Sequence, residues 1–324
     1  LIEAAKSLGY FVITTGNARD GLGHPYAHKN VFADFSDKEA MLALAREEKV
    51  EAVCSGCNDF ALLSTAYVCE KLNLPGHDSY ETSLQIHHKD KYRTLANRLG
   101  IATPKVCTIT RETFAQGGEA LHAQFEGLTY PLIVKPVDLT GGKGITRVNN
   151  QGEAIAALQE AFARTRENYV IVEEFMVGTN HGFSAYLINK KVAFYFADNE
   201  QYFINKYMVS GANTPATTSP AGISQLIADS EKIATELNLV DGILHIQYIE
   251  KQDGTPVIIE ICRRPPGDLY IKFVKYATGI DYPLALIQAE TGNAPTAITT
   301  ALPSTTIFSK NAPNRQIEPK PFLR

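Results

Sequence analysis

The feature that most constrains the fold is an apolar run ending in a lysine and followed by clustered glycines, YPLIVKPVDLTGGKGITRV, at positions 130–148. β-Forming residues on both sides of the glycines predict two strands joined by a turn. Gly141, Gly142, Lys143 and Gly144 lack the Gly-x-x-x-x-Gly-Lys-Ser/Thr spacing and lie between strands, which excludes the commonest phosphate loop. They form either an ordinary turn or a tip whose N–H groups approach an anion.

Two lysines could add positive charge beneath this tip. Lys135 ends the strand PLIVK and is a point charge suited to phosphate. Lys91 is predicted to start a helix that ends at Gly100. The alternative for either lysine is a solvated surface position.

The pattern of helices and strands predicts an α/β lobe followed by α+β units. Helix and strand alternate from the N-terminus to a strand near Ala52 to Cys54, which favours a parallel sheet with covering helices. The chain opens inside a predicted helix, so we expect a strand before it. After the glycine turn come a helix from Glu153 to Arg164 and a strand ending at Glu173. Asn189-Lys190 predicts a hairpin turn.

Two further groups of residues could carry chemistry. Glu173, Glu174, Phe175 and Met176 follow the strand YVIV, where a carboxylate and backbone groups could read an adenine edge and apolar side chains could pack on its face. Ordinary packing at a strand end is the alternative.

The second group lies in a hairpin, HIQYIEKQDGTPVIIEICRR, in which we expect Gln247 beside Glu260. Alternation puts Cys262 and Arg264 on the same side as Glu260. Glu260 is a hard oxygen ligand for Mg²⁺, and Arg264 can clamp an anion. A solvent-facing charged hairpin is the alternative.

Composition excludes several classes of protein. A chain of 324 residues is long enough for two or three lobes, and 44% hydrophobic with 20% charged residues is ordinary globular usage. A net charge of −4 with dispersed Lys and Arg argues against a nucleic-acid partner. No membrane span or signal segment is evident, so we expect a cytoplasmic protein without a membrane partner. Five cysteines argue against a disulfide framework, and Cys54 and Cys57 have redox spacing without the expected helix context.

The order of these motifs resembles the ATP-grasp superfamily, as in biotin carboxylase, carbamoyl-phosphate synthetase, glycinamide ribonucleotide synthetase and L-amino-acid ligases. The resemblance covers nearly the whole chain. It implies a pre-ATP-grasp domain at residues 1–88, a linking helix at 89–106, a lid at 107–176 and a C-terminal lobe at 177–324. It also implies that ATP, with Mg²⁺ or Mn²⁺, binds between the lid and the C-terminal lobe.

The resemblance also implies roles for individual residues. Lys91, Lys135 and the tip Gly141 to Gly144 would contact phosphates, and Glu173 with main-chain atoms of Glu174 and Met176 would bind adenine. His181 would lie near the nucleotide. Glu260 and Gln247 would hold metal, and Arg264 would hold the carboxylate substrate or the acyl-phosphate.

Two positions depart from the superfamily pattern. Gln247 stands where a second metal carboxylate is usual, and Cys262 where an asparagine ligand is usual. An amide oxygen ligates Mg²⁺ without adding charge, and a thiol is a poor partner for a hard cation. Arg263 and Arg264 add positive charge that could replace metal charge or bind an anionic substrate.

These expectations lead to a functional hypothesis: an ATP-dependent ligase that forms an acyl-phosphate and transfers the acyl group to an amine or a similar nucleophile. One alternative is an ATP-binding protein that has lost catalysis. Another, suggested by the N-terminal α/β pattern alone, is a dinucleotide-dependent oxidoreductase. The substrates are small molecules whose identity the sequence leaves open. Lys206, in a long polar connection, is a candidate for their pocket, and superfamily members suggest a homodimer.

Overall fold

The computed structural model describes residues 1–137, 144–203, 205–267, 269–295, 298 and 308–311. These residues form an N-terminal lobe, a small lobe on a four-stranded sheet and a larger lobe on a six-stranded sheet. Gly141, Gly142 and Lys143 of the predicted glycine turn lie outside the described residues. None of the helices in the described ranges combines the length and apolar character needed to cross a bilayer.

The N-terminal lobe is mainly helical. Its elements are α1 (Ile2–Ser7), β1 (Ile13–Thr14), β2 (Lys29–Asn30), α2 (Lys38–Glu47), α3 (Asp59–Leu72) and α4 (Tyr80–His87). Strands β1 and β2 form a short parallel ladder, whereas the strand predicted near Ala52 is not assigned as one. Asp37 and Asn58 cap α2 and α3 by accepting two backbone N–H bonds each, which fixes where these helices begin.

A single helix, α5 (Lys89–Leu99), links this lobe to the next one. It ends as predicted at Gly100, whose left-handed φ of 67° suits glycine. It begins two residues before the predicted Lys91, so Lys89 rather than Lys91 is its first residue.

The small lobe is an antiparallel sheet in the order β3-β6-β4-β5, covered on one face by α8. Its elements are β3 (Val106–Thr110), α6 (Arg111–Gln116), α7 (Gly118–Ala123), β4 (Leu132–Pro136), β5 (Thr146–Val148), α8 (Gln151–Arg164) and β6 (Tyr169–Glu174). Leu132, Val134 and Val172 join the core beneath α8. Because strand side chains alternate, Lys135 and Glu173 lie on the other face of this sheet.

The large lobe is built on an antiparallel sheet in the order β11-β10-β7-β8-β9-β12. Its elements are β7 (Thr179–Ile188), β8 (Lys191–Gln201), β9 (Gly211–Thr214), α9 (Pro220–Glu236), β10 (Gly242–Glu250), β11 (Pro256–Cys262), α10 (Tyr270–Thr278), α11 (Tyr282–Glu290) and β12 (Phe308–Asn311). The predicted hairpin joins β7 to β8, and both Asn189 and Lys190 have positive φ, at 50° and 65°.

The two faces of the large sheet pack against different helices. One face contributes Phe183 and Ile246 to a core that includes residues of α5 and α9. The opposite face contributes Tyr186 and Phe194 to a core with α10 and α11. Gln247 and Glu260 lie on this second face by alternation, so polar side chains extend the face beyond its apolar part.

Candidate functional site

Lys135 and Glu173 form a buried ion pair on the inner face of the small sheet, as neighbours on β4 and β6. Arg93, from α5, places its Nε 3.0 Å from the other carboxylate oxygen of Glu173. Its Nη2 donates to the carbonyl of Ile259 on β11 at 2.6 Å. The three charged side chains therefore connect the small sheet to the linking helix and the large sheet.

Burial and charge act against each other within this cluster. Burial lowers the pKa of Lys135, and the carboxylate of Glu173 opposes that shift. Burial alone would raise the pKa of Glu173, but Arg93 and Lys135 hold it below its usual value. Two cations thus share one buried anion. The predicted adenine role of Glu173 stays a prediction, since both of its oxygens face cations here.

Lys89 lies beside the predicted metal ligand, with its Nζ 3.5 Å from Glu260 Oε1. Lys91 instead contacts Glu81 at 3.3 Å, and its side chain is 40% exposed. A two-residue step along a helix rotates a side chain by more than half a turn, which explains the different directions. The phosphate role predicted for Lys91 stays a prediction, and Lys89 is the lysine that contacts Glu260.

The predicted pairing of the β10–β11 hairpin is confirmed, because Gln247 and Glu260 are direct partners across the two strands. Burial alone would raise the pKa of Glu260, but Lys89, and then Lys135 and Arg264, outweigh that effect and hold it below its usual value. The amide Nε2 of Gln247 donates to both oxygens of Glu200 on β8, at 3.0 and 3.2 Å.

The thiol of Cys262 takes no part in this oxygen-rich group. It donates to the carbonyl of Arg264 at 3.3 Å, and burial raises its pKa to about 11. The protonated thiol is a weak donor for a hard cation.

Neither arginine at the end of β11 faces the site as an isolated charge. Arg264 forms a bidentate ion pair with Asp59 of α3, with Nε–Oδ1 and Nη2–Oδ2 distances of 2.6 Å. Arg263 is buried against Asp78, with an Nε–Oδ2 distance of 2.7 Å, and it also donates to the carbonyl of Val240. The positive charge expected from Arg263 is therefore neutralised within the fold. The substrate role of Arg264 stays a prediction.

Glu174 and Phe175, at the end of the predicted adenine strand, already contact other groups of the protein. Glu174 accepts the backbone N–H of Thr129 at 2.9 Å, and its own N–H donates to the carbonyl of Lys105. The ring of Phe175 lies under the guanidinium of Arg147, 4.4 Å from its centre, and Met176 is half-buried. An arginine over an aromatic face leaves that face less available to a base.

His181 lies on the other face of the large sheet from Gln247. Gly182 pairs with Gln247, so its neighbour His181 points the opposite way, where its buried ring stacks on Tyr248 at 5.2 Å. Its Nε2 is 2.7 Å from the hydroxyl of Thr179. The predicted place of His181 near the nucleotide stays a prediction, and its ring lies on the face opposite Gln247.

The two remaining candidates lie in loops. Lys206 is exposed in the connection between β8 and β9, and its role stays a prediction. Gly144 has a φ of 71°, and a Cβ there would lie 2.9 Å from Cγ of Pro136. A glycine is therefore required where the chain returns from the predicted turn.

Sequence reasoning missed four residues that the fold brings to this region: Lys89, Arg93, Asp59 and Glu200. Lys89 and Arg93 are four residues apart on α5, a spacing that places both on one helix face and could have been noticed. Asp59 and Glu200 are distant in sequence from their partners, and no local pattern marks them.

The oxygen donors present suit a hard divalent cation that is completed by a phosphate ligand. Mg²⁺ is usually held by one or two carboxylates together with substrate phosphates rather than by a full protein cage. Glu260 and the amide oxygen of Gln247 match that description. In the described part of the chain, no cluster of three His, Cys, Asp or Glu side chains suited to a metal occurs.

A cavity of about 580 Å³ is lined in part by residues that are close in sequence to Arg264 and Asp59. Its lining includes Pro266 and Gly267, which follow Arg264, and Cys57, which precedes Asp59 by two positions. Lys272 and Lys275 of α10 also line it. The cavity thus combines apolar surface with two ammonium groups and with the carboxylates of Glu3 and Asp281.

The small four-stranded sheet, the larger six-stranded sheet and the buried charges that connect them are those of an ATP-grasp protein. The fold agrees with the biotin carboxylase domain of 2-oxoglutarate carboxylase from Hydrogenobacter thermophilus, solved with MgADP, ADP and bicarbonate, at a TM-score of 0.78 and 16% identity, covering 95% of this chain and 70% of that one. It also agrees with the L-amino acid ligase from Bacillus licheniformis, at a TM-score of 0.73 and 23% identity, covering 91% and 71%.

The chain belongs to the family described as D-ala D-ala ligase C-terminus, whose profile matches residues 95–283. The formate-dependent phosphoribosylglycinamide formyltransferase of Rhodococcus jostii (strain RHA1) is 32% identical over 181 residues, which is 54% of this chain and 43% of that protein. The chain therefore spans less than half the length of this relative. The fold class and the superfamily predicted from the sequence are confirmed.

Proposed function

We propose that this protein is an ATP- and Mg²⁺-dependent ligase that activates a carboxylate and joins it to an amine. The observation that carries the proposal is the contact of Lys89, from the linking helix, with Glu260, from the large sheet, where the charge of Lys135 on the small sheet also acts. Lys135 and Lys89 both act electrostatically on Glu260, although they come from different parts of the chain. Cations from separate elements around a carboxylate suit a metal-bound polyphosphate.

Each group has a definite task in this proposal. Lys135 and Lys89 bind phosphate oxygens as point charges. Glu260 and the Gln247 oxygen hold Mg²⁺, which when bound neutralises phosphate charge during transfer. Arg93 connects the Lys135–Glu173 pair to the large sheet, because it contacts Glu173 and donates to the carbonyl of Ile259. The carboxylate substrate takes the phosphoryl group from ATP, and the amine then displaces phosphate from the activated acyl group.

The cavity lined by Pro266, Gly267 and residues of α10 is a candidate place for the second substrate. Its lysines, Lys272 and Lys275, are balanced by the carboxylates of Glu3 and Asp281, and Lys275 is paired with Asp281 at 2.9 Å, so the lining has no net charge that selects an anion. The relatives and neighbours carry names that specify formate, bicarbonate and amino acids. These three classes define the first acids to be tried.

The proposal is tested by measuring ADP release with each acid, alone and with an amine panel of amino acids and aminated ribosides. We expect ADP release that needs both Mg²⁺ and one carboxylate class. Glu260→Gln should abolish that release while Glu160→Gln, a change in an exposed helix ion pair, leaves it unchanged. Protein that binds ATP but forms no ADP with any acid, or the same ADP with and without acid, would contradict ligation.

A second function, nucleotide binding without turnover, is favoured by one observation. Asp59 occupies Arg264 in a bidentate pair, so the predicted carboxylate clamp already holds an internal carboxylate. Gln247 and Cys262 also weaken the metal site, so a protein of this kind would bind ATP with the same affinity with or without Mg²⁺. Calorimetric titration of a non-hydrolysable ATP analogue with and without Mg²⁺ separates the two functions, because the ligase requires the metal for tight binding.

A further inference from the structure

The amide of Gln247 is held by a carboxylate that reaches it across an intervening strand. Glu200 lies on β8 and Gln247 on β10, and β7 runs between them. The β7 residue opposite Gln247 is Gly182. A Cβ on Gly182 would lie 2.4 Å from Asp198 Oδ1 and 3.3 Å from Glu200 Oε1. The missing side chain therefore makes room for Glu200 to reach Gln247.

This contact selects one of the two orientations of the amide. Both oxygens of Glu200 accept from Nε2 of Gln247, at 3.0 and 3.2 Å. Rotating the amide by half a turn would point its oxygen at the carboxylate, which offers no donor when ionised. The carbonyl oxygen is thus the end of the amide directed away from Glu200, and it is the end that can ligate a cation.

Glu200 is itself held in place by Tyr202. The hydroxyl of Tyr202 donates to Glu200 Oε2 at 2.6 Å. Burial and the charge of Glu200 raise the pKa of Tyr202, so the hydroxyl keeps its proton and remains a donor. The order of contacts is therefore Tyr202 to Glu200 to Gln247, with Gln247 next to Glu260 across the hairpin.

We propose that Glu200 is a positioning residue of the metal site, which turns the Gln247 oxygen towards the cation and supplies the negative charge that an amide lacks. This inference rests on the proposed function, because it requires a divalent ion at Gln247 and Glu260. Carboxylates that orient a metal ligand from behind raise metal affinity, and their removal commonly costs about 10- to 100-fold. Glu200 and Gln247 together carry the charge of one carboxylate.

The test measures Mn²⁺ binding by electron paramagnetic resonance in the presence of a non-hydrolysable ATP analogue. Glu200→Gln keeps one acceptor for the amide but removes the charge, and Glu200→Leu removes both. We expect Mn²⁺ affinity to fall about 10-fold in the first variant and up to about 100-fold in the second. Glu160→Gln, in an exposed ion pair on α8, serves as the matched control and should bind Mn²⁺ as wild type does.

An exchange of the two side chains distinguishes a metal role from a merely structural hydrogen bond. The double variant Glu200→Gln with Gln247→Glu restores one carboxylate and one amide in reversed positions. We expect it to recover Mn²⁺ affinity to within about threefold of wild type, since the carboxylate introduced on β10 would ligate the ion directly. Thermal unfolding of each variant without metal confirms that it is folded.

Two results overturn the inference. One is Mn²⁺ binding within about twofold of wild type in both Glu200 variants, a change well below that expected for an orienting carboxylate. The other is a double variant that binds no better than Glu200→Gln. If the wild-type protein with nucleotide binds no Mn²⁺ at all, the proposed function fails first and this inference fails with it. Wild-type binding combined with unaffected Glu200 variants rejects the inference alone.

Discussion

Arg264, at the end of the large sheet, and Asp59, at the start of α3 in the N-terminal lobe, form a bidentate ion pair with two contacts of 2.6 Å. They are separated by 205 positions in the sequence. Both side chains are largely buried, at 16% and 10% exposure. Opposing burial, the Arg264 guanidinium holds the pKa of Asp59 below its usual value. The pair fastens the N-terminal lobe to the strand that carries Glu260.

Asp59→Asn should destabilise the protein, because it leaves the Arg264 guanidinium with no carboxylate in a largely buried place. Removing one partner of such a pair commonly costs about 3 kcal/mol. Glu160→Gln, which breaks an exposed pair with Arg164, should cost about 0.5 kcal/mol or less. Urea denaturation at pH 7 measures both free energies of unfolding. Equal losses in the two variants would contradict a fastening role for Asp59.

Lys89 and Lys91 should differ sharply in nucleotide binding although they are two residues apart. Lys89→Met removes the ammonium beside Glu260, so we expect affinity for a non-hydrolysable ATP analogue with Mg²⁺ to fall at least about 10-fold, as for a charge-assisted contact. Lys91→Met removes a contact to Glu81 on a half-exposed side chain and should change affinity less than about twofold. Calorimetry measures both constants. The reverse order would show that Lys91 is the phosphate ligand after all.

Glu290 should make stability depend on pH between about 4.5 and 7. Burial raises the pKa of Glu290 to about 7, from an ordinary value of 4.5. The folded state therefore holds this proton more tightly than the unfolded state, and the contribution to stability is greatest below pH 4.5 and lost as pH rises to about 7. Glu290→Gln should remove this loss, making the variant up to about 3 kcal/mol more stable relative to wild type at pH 8 than at pH 4.5.

Urea denaturation of wild type and Glu290→Gln at a series of pH values checks this expectation. Glu160→Gln, in which an exposed carboxylate is changed, should follow the wild-type pH dependence. A constant difference between wild type and Glu290→Gln from pH 4.5 to pH 8 would rule out a raised pKa at Glu290.

Gly178 should tolerate no side chain, because a Cβ there would lie 2.2 Å from the carbonyl oxygen of Glu250. Backbone atoms cannot move aside as a side-chain end can, so Gly178→Ala should destabilise the protein by about 1–3 kcal/mol. Gly267 is the matched control, since a Cβ there meets no atom within 4 Å. Thermal unfolding of both alanine variants compares them. A Gly178→Ala variant as stable as Gly267→Ala would be inconsistent with the close approach of β7 and β10.

Features set by local pattern were predictable from the sequence. The Asn189-Lys190 turn, the Gly100 helix end and the partnership of Gln247 with Glu260 follow from turn chemistry, capping and the two-residue period of a hairpin. Lys135 on β4 was identified because it ends the apolar strand PLIVK. In each case the signal lies within a short stretch of chain.

Features set by tertiary contacts were not predictable. The choice between Lys89 and Lys91 depends on how α5 is rotated against β11, and no local signal reports that rotation. The pairing of Arg264 with Asp59 joins residues 205 positions apart, and no local pattern marks it. The face occupied by His181 follows from strand register, which a single sequence does not give.

The most direct test of a metal-bound triphosphate between the two sheets is the affinity of a non-hydrolysable ATP analogue, measured by calorimetry with and without Mg²⁺, for wild type, Lys135→Met and Glu260→Gln. We predict that Mg²⁺ tightens binding to wild type, that Lys135→Met weakens binding in either condition, and that Glu260→Gln loses the Mg²⁺ effect alone. Identical affinities for the three folded proteins, unaffected by Mg²⁺, would contradict a metal-bound triphosphate between the two sheets.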